Sequence, residues 1–597
     1  MMLTPFSAMA QEGTEAEGLK DGTYSVTQGG FDGDFTVDVT IAQGKISDVK
    51  VVKTLDSLGI GEMAQKELAK TIIEKQSTNI DTVSGATISS KTFLSAVKNA
   101  LKEAGAGDDM FAEDCTTVRY TQKGDIESFK PDVIVVGAGL AGVVSAMTAV
   151  ENGAKVLVIE QEDYVGGTSL YAGGAVAESG SPQQPQDADV EINADTFYSW
   201  LEETNKDYGD FSPELARKMA DTSGEAYDQL VEWGMKPAGL AQFFDSPIYY
   251  TWQDSGDYTS TGWFLFNSIA PTLDKMVEDG NLIFKMNTKA TGFVQGDNGV
   301  VTGVTTEDGD TFNAKAVILS TGGFTNCEEL MDKIYSRYGS YGAGSATGEM
   351  QLAAMDLGAK TYAMDMTRWE PGMVNVTGEN NAQVQYEVQV ANPGYVWVDK
   401  AGKRVGAGDS KDAKPWKDAE DNTVYVLLTE EMLDEAPVLK LGNASNCQLD
   451  EGNVAFNKLL SEEKCVYSGD TIEEVAQKAG VDPEGLAATV EQYNGYCESG
   501  EDPDFQRDPA NLIKLNGPFY LIETIGGVKG TSGGLVIDTE GRVLAEDDKP
   551  IEGLYASGEA CGTLAFNGNC VYYGGCYIIC NTYGRIAGQE ATAYALK

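Results

Sequence analysis

Three glycines, Gly137, Gly139 and Gly142, have the type and spacing that carry the clearest chemistry in the chain. They follow Val133-Ile134-Val135-Val136, an apolar run that predicts a buried parallel strand. The first glycine permits a tight turn, and the second lets backbone approach a pyrophosphate beside Ala138. The third lets the helix that follows pack closely on the strand, with the phosphates at its positive N-terminus. A second apolar run, Val156-Leu157-Val158-Ile159, ends in Glu160. An acid about 20 residues beyond the glycines is the group such a unit sets against ribose hydroxyls. Strand, turn, helix, strand and acid together predict that the chain binds an adenine dinucleotide. Just beyond, Gly166-Gly167-Thr168-Ser169-Leu170-Tyr171-Ala172-Gly173-Gly174 offers bare backbone amides to a flat ring and a phosphate.

Composition excludes much other chemistry. The 597 residues include no histidine, which removes Ser-His-Asp and Cys-His mechanisms and the common zinc sites. It also removes Cys-x-x-Cys-His attachment, so no haem is expected. Nine cysteines form no Cys-x-x-Cys pair, and their odd number leaves at least one outside any intrachain disulfide. They are expected to be buried apolar thiols, and no metal is expected. With 43 basic against 92 acidic residues, the formal charge is −49, which argues against nucleic acid and anionic lipid as partners. An acidic substrate would need a local basic pocket.

The elements that position these residues can be read in order. The length predicts several domains. No run approaches the ~18 apolar residues of a membrane span, so a soluble chain is expected. Residues 1–19 form a flexible lead in which Ala8-Met9-Ala10 fits a signal-peptidase site, although the basic segment that normally precedes one is missing. That points to an extracytosolic protein, secreted or held at the cell surface. Alternation in Phe35–Ile41 and Ile46–Val52 predicts a strand hairpin, residues 61–75 a helix, and a second helix begins near Ser90 with Phe93, Val97 and Leu101 on one face. Residues 106–130 are Gly/Asp-rich and read as a linker. Residues 131–365 and 523–597 form one dinucleotide-binding domain. The acid-rich, more irregular residues 366–522 read as an insertion capping it. The aromatic cluster from Phe243 to Phe266 is either core or a substrate wall.

Asp81-Thr82-Val83-Ser84-Gly85-Ala86-Thr87 resembles the motif of the covalent FMN-binding domain, in which a phosphoester joins FMN to the last threonine. The resemblance spans roughly residues 20–105 and implies covalent FMN on Thr87; a helix cap at that position is the alternative. A His that the family often carries has no equivalent near Lys53–Asp56. Attachment in that family is commonly extracytosolic. Gly137 to Gly142, Glu160, Gly166 to Gly174, Thr321 to Phe324 and Leu554 to Glu559 together resemble the FAD-dependent fumarate reductase family. Its relatives include urocanate reductase and the 3-ketosteroid dehydrogenases. This second resemblance covers residues 131–597. It implies an α/β fold: a Rossmann-like FAD-binding domain with an inserted α+β capping domain, preceded by a small α+β FMN-binding domain. It assigns FAD contacts to Gly137, Ala138, Gly139, Gly142, Glu160, Gly167, Thr168, Ser169, Gly173, Gly174, Gly322, Glu349, Glu559, Gly575 and Ile578.

Departures from that family are informative. Its substrate-gripping His-Pro becomes Glu370-Pro371, and its His-His-Thr-x-Gly-Gly becomes Lys529-Gly530-Thr531-Ser532-Gly533-Gly534. Its Asn-Arg-Leu-Gly-Gly becomes Val571-Tyr572-Tyr573-Gly574-Gly575, and its proton-donating arginine beyond Gly-Lys-Arg-Phe has no match. Hydrogen bonds to charged groups are worth about 1.5–3 kcal/mol each, so several such losses argue against fumarate. Glu370 instead enters the substrate slot. Tyr572 resembles the tyrosine of the ketosteroid pattern; it either polarises a substrate carbonyl or packs beside the flavin. Lys529 is a counter-charge or proton donor, or a solvent lysine; Lys411 is a third candidate. The resulting expectation is a terminal reductase of an anaerobe that saturates an activated C=C bond of enone or enoate type. FMN would relay electrons from an external donor, with membrane-associated donors among the candidates. A ketosteroid-type dehydrogenase and a flavin electron-transfer protein without organic substrate are the alternatives.

Overall fold

The computed structural model describes residues 19–29, 34–54, 61–78, 87–106, 126, 128–162, 164–172, 175–177, 179–181, 183, 193–205, 211–242, 249–253, 262–331, 337–340, 344–378, 382–383, 386–409, 414–441, 448–563 and 575–597. The chain divides into two compact units, Met1–Cys115 and Thr116–Lys597.

In the first unit, β1 (Gly22–Gly29), β2 (Asp34–Ala42) and β3 (Lys45–Thr54) form an antiparallel sheet in sequence order. Alternation along β2 buries Val37, Val39 and Ile41 while Asp38 and Thr40 stay partly exposed. Helices α1 (Gly61–Lys75) and α2 (Thr87–Glu103) cover that apolar face with Leu68, Ile72, Phe93, Val97 and Leu101. Helix α2 starts about one turn before the expected Ser90. Among the described side chains its first core-facing apolar residue is Phe93.

The second unit is built on a sheet that opens with β4 (Val133–Val136), α3 (Leu140–Glu151) and β5 (Val156–Ile159). It continues with β6 (Leu282–Lys285) and β7 (Ala316–Leu319). Far along the chain come β8 (Thr367–Val374), β9 (Thr423–Thr429), β10 (Phe519–Thr531), β11 (Arg542–Leu544), β12 (Pro550–Ala556) and the closing helix α4 (Gly575–Ala595). The nucleotide sheet runs β11-β12-β7-β4-β5-β6, parallel except for the β11–β12 edge. Its strands read as unbroken apolar runs because both faces are covered. Val133, Val135, Val156 and Val158 pack into one core, and Ile134, Val136, Leu157 and Ile159 into the other. Helix α4 lies directly on α3: a Cβ at Gly588 would stand 2.6 Å from the Ser145 carbonyl oxygen, and one at Gly584 2.9 Å from that of Ala141.

Residues between 366 and 522 supply most strands of a second sheet, ten-stranded among the described residues, so this stretch is more regular than its composition suggests. Strand β10 is its spine. It pairs with β8 and β9 and runs through the position expected for a boundary, 522/523, without interruption. No helix among the described residues is long and apolar enough to cross a membrane.

Candidate functional site

The glycine turn adopts a geometry that only small residues allow. Gly137 has φ +98°, and a Cβ there would stand 2.5 Å from the Ser320 carbonyl oxygen; a Cβ at Gly142 would overlap the Gly137 carbonyl oxygen. Gly139 differs, because its Cβ would meet nothing nearer than the Gly166 oxygen at 3.8 Å. Gly139 is the N-cap of α3 and offers no side-chain cap, so the first turn keeps amides for a ligand. Next to it, Gly166 (φ +127°) and Gly167 (φ +49°) begin the 3₁₀ turn Gly167–Tyr171, which carries Thr168 and Ser169. The Ser169 hydroxyl accepts from Leu140 N–H at 3.4 Å.

Glu160 stands at the end of β5, 7% exposed. Its carboxylate accepts from Ala138 N–H at 2.6 Å and Glu162 N–H at 2.9 Å, so it is fixed beside the turn. Burial pushes its carboxyl up to about 7, against those backbone bonds. The open space at Gly139, a helix start whose N-cap residue brings no side chain, and the anchored acid fit an adenine dinucleotide.

The other expected contacts are placed as follows. Gly322 has φ +72° and its carbonyl accepts from Gln351 at 2.7 Å. Glu349 opens a helix with its carboxylate paired to Lys289, a partner that spacing did not reveal. Ile578 is 1% exposed in the sheet core, which leaves its backbone for any cofactor contact. Gly575 is the first residue of α4. Gly173, Gly174, Lys411, Tyr572 and the stretch Asp81 to Ala86 lie outside the described residues. Of Thr87 the structure gives its place as the first residue of α2.

Strands β8 and β10 bring the candidate substrate residues together. They pair antiparallel, Arg368 opposite Gly530, Trp369 opposite Val528 and Glu370 opposite Gly527. The register slips between Arg368 and Trp369 and leaves Lys529 as the extra residue of a bulge. The bulge lets Lys529 Nζ reach Glu370 Oε2 at 2.9 Å, so the lysine and the glutamate singled out separately form one ion pair. Lys529 is 42% exposed and Glu370 17%. Trp369 lies over Gly526, where any Cβ would enter its ring, and Lys417 Nζ lies 5.9 Å from the centre of that ring.

Two residues at this wall escaped the sequence reading. The Arg368 guanidinium pairs with the Glu559 carboxylate and donates to the Cys576 sulfur. The one available signal was its position two residues before Glu370. Glu559 sits in the 3₁₀ turn Gly558–Cys561 after β12, and Cys576 in the first turn of α4. Nearby Cys561 and Cys580 are buried; burial pushes the Cys561 thiol up to about 12 and that of Cys580 higher, so both are protonated, inert thiols.

Comparison with known proteins agrees with this geometry. The FAD binding domain model matches residues 132–575 and the FMN-binding domain model residues 30–102. Urocanate reductase of Eggerthella lenta is 30% identical over 99% of this chain and 95% of its own length. NADH:acrylate oxidoreductase of Vibrio harveyi is 27% identical over 96% of this chain and 61% of its own length. Among solved structures, the open conformation of a flavocytochrome c3 fumarate reductase superposes with a TM-score of 0.63 at 25% identity, covering 79% of each chain. The chain therefore belongs to the family of FAD-binding-domain oxidoreductases that includes urocanate reductase, and it is a flavoenzyme whose FAD-binding domain is preceded by an FMN-binding domain.

Proposed function

We propose that the enzyme saturates an activated C=C bond of an enone or enoate that is not fumarate. The observation that carries this reading is the Lys529–Glu370 pair. A dicarboxylate needs two cationic grips, whereas this wall sets a carboxylate of its own against the lysine. A lysine balanced in that way, beside an Arg368 already paired with Glu559, suits a single carboxylate, which can take over Lys529 from Glu370, or a neutral carbonyl. Urocanate and acrylate, the acids in the names of two relatives, each carry one carboxylate.

When bound, FAD supplies the hydride, and FMN esterified to Thr87 supplies electrons drawn from an external donor. The chain's residues bind and orient. Glu160 and the turn at Gly137 to Gly142 hold the dinucleotide, and Lys529 faces the activating group of the substrate. The Tyr572 hydroxyl donates to the carbonyl that activates the alkene, where charge builds up as hydride reaches the β-carbon. We place residues 366–522 as the cap over this site and the enzyme in anaerobic respiration, outside the cytosol; Ala8-Met9-Ala10, which fits a signal-peptidase site, supports the location.

Stopped-flow reoxidation of the reduced enzyme by enones, enoates, steroids and fumarate tests the reading. Fast reoxidation by one of the first two classes and none by fumarate is expected; no reoxidation by any alkene overturns it. Tyr572→Phe should lower turnover on the responsive substrate by roughly 10²-fold, the scale of one lost oxyanion donor. An unchanged rate removes Tyr572 from the chemistry.

A further inference from the structure

Gly530 and Arg368 face each other across β10 and β8. Gly530 has no side chain, which leaves a notch at this point of the strand. The Arg368 guanidinium fills it, so closely that a Cβ at Gly530 would overlap Nη2 and stand 2.9 Å from Glu559 Oε1. Thr531, the next residue, is fully buried and its hydroxyl accepts from Phe324 N–H at 3.3 Å, which fixes the strand on the nucleotide domain.

The partners of the guanidinium say where it is. Glu559 lies in the turn Gly558–Cys561 after β12, and Cys576 in the first turn of α4; both segments carry expected FAD contacts, Glu559 itself in one and Gly575 and Ile578 in the other. Arg368 and Glu559 retain 15% and 19% exposure, so their fields are screened far less than those of surface charges. A cation in such a place favours the form of a neighbouring flavin that carries more negative charge, which is the reduced one.

We propose that Arg368 sets the reduction potential of FAD, with Glu559 holding it in position and partly offsetting its charge. Arg368 is thus a positioning charge for electron uptake and is not required to touch substrate. The proposal goes beyond the assignment of a C=C substrate and does not depend on it.

Spectroelectrochemical titration of the FAD-loaded full chain tests it. The FAD wave is identified as the one that persists in Thr87→Val. Arg368→Gln should shift that wave to lower potential, because the Glu559 carboxylate is then left uncompensated. Arg368→Lys, which keeps the charge, should shift it less, and the double variant Arg368→Gln/Glu559→Gln should return towards wild type. An unshifted wave in Arg368→Gln with FAD retained overturns the proposal. So does a variant that raises only the substrate KM. If Arg368→Gln does not hold FAD, Gly530→Ala carries the test, since a methyl there displaces the guanidinium without removing a charge. A lowered potential supports the proposal, and an unchanged one overturns it.

Discussion

Burial pushes the Glu160 carboxyl up to about 7 from an ordinary 4.5, even though Glu162 and Ala138 donate backbone N–H groups to its charged form. The folded value lies above the unfolded one. The contribution of this group is therefore fully present below pH 4.5 and lost as pH rises through 7. Each tenfold change in proton affinity between the folded and unfolded chain is worth about 1.4 kcal/mol, so the loss is on the order of 3 kcal/mol in the FAD-free chain. Glu160→Gln keeps the shape and removes the titration. The stability of the FAD-free variant relative to wild type should accordingly climb between pH 4.5 and 7.5 in paired denaturant melts, whereas a gap that does not change with pH excludes Glu160 as the titrating group. The same substitution removes an acceptor for ribose hydroxyls, and FAD titration should show affinity reduced roughly 10- to 100-fold, the worth of one or two hydrogen bonds to a charged group.

The strand–turn–helix element allows a sharper separation of folding from binding. Gly142 and Gly139 are three residues apart in the same turn, yet a methyl at Gly142 would overlap the Gly137 carbonyl oxygen while one at Gly139 would enter open space. Gly142→Ala should lower the melting temperature of the FAD-free chain and abolish FAD binding, a cost above about 3 kcal/mol for a backbone clash in a packed core. Gly139→Ala should leave that melting temperature within a degree or two and still weaken FAD binding, because its methyl takes space meant for the pyrophosphate. Equal melting losses in the two variants would contradict that division of labour. This element was legible in the sequence because it is local: four apolar residues, a glycine spacing and an acid are all readable within thirty positions. The wall formed by β8 and β10 was not. Glu370 and Lys529 each stood out as departures from a known pattern, but their pairing depends on a bulge that no local signal marks. Arg368 meets Glu559 and Cys576 across 191 and 208 residues, a proximity that comes from the return of the chain to the nucleotide sheet. Cys576 and Arg368 carry no periodic or spacing signature, so topology alone assembles them.

At the scale of the whole molecule the dominant physical fact is charge: the chain that carries the two flavin-binding domains has 92 acidic against 43 basic residues. The chain divides into its two compact units at Cys115/Thr116. A field of this sign raises the local concentration of cationic molecules and repels anions over about 10 Å at 0.1 M salt. The electron donor should therefore present a cationic face. With a saturating alkene acceptor, turnover driven by a reduced cationic viologen should fall as ionic strength rises from 10 to 500 mM, and turnover driven by a reduced anionic sulfonated quinone should rise. The change should approach tenfold or more at the low-salt end, where screening is weakest. Thr87→Val tells the entry point apart from the field. If electrons enter through FMN, the variant loses most turnover with a bulky protein donor, yet keeps the opposite salt slopes for small mediators that reach FAD unaided. Identical salt slopes for the two mediators would remove charge steering. A Thr87→Val enzyme as fast as wild type with the protein donor would remove the relay.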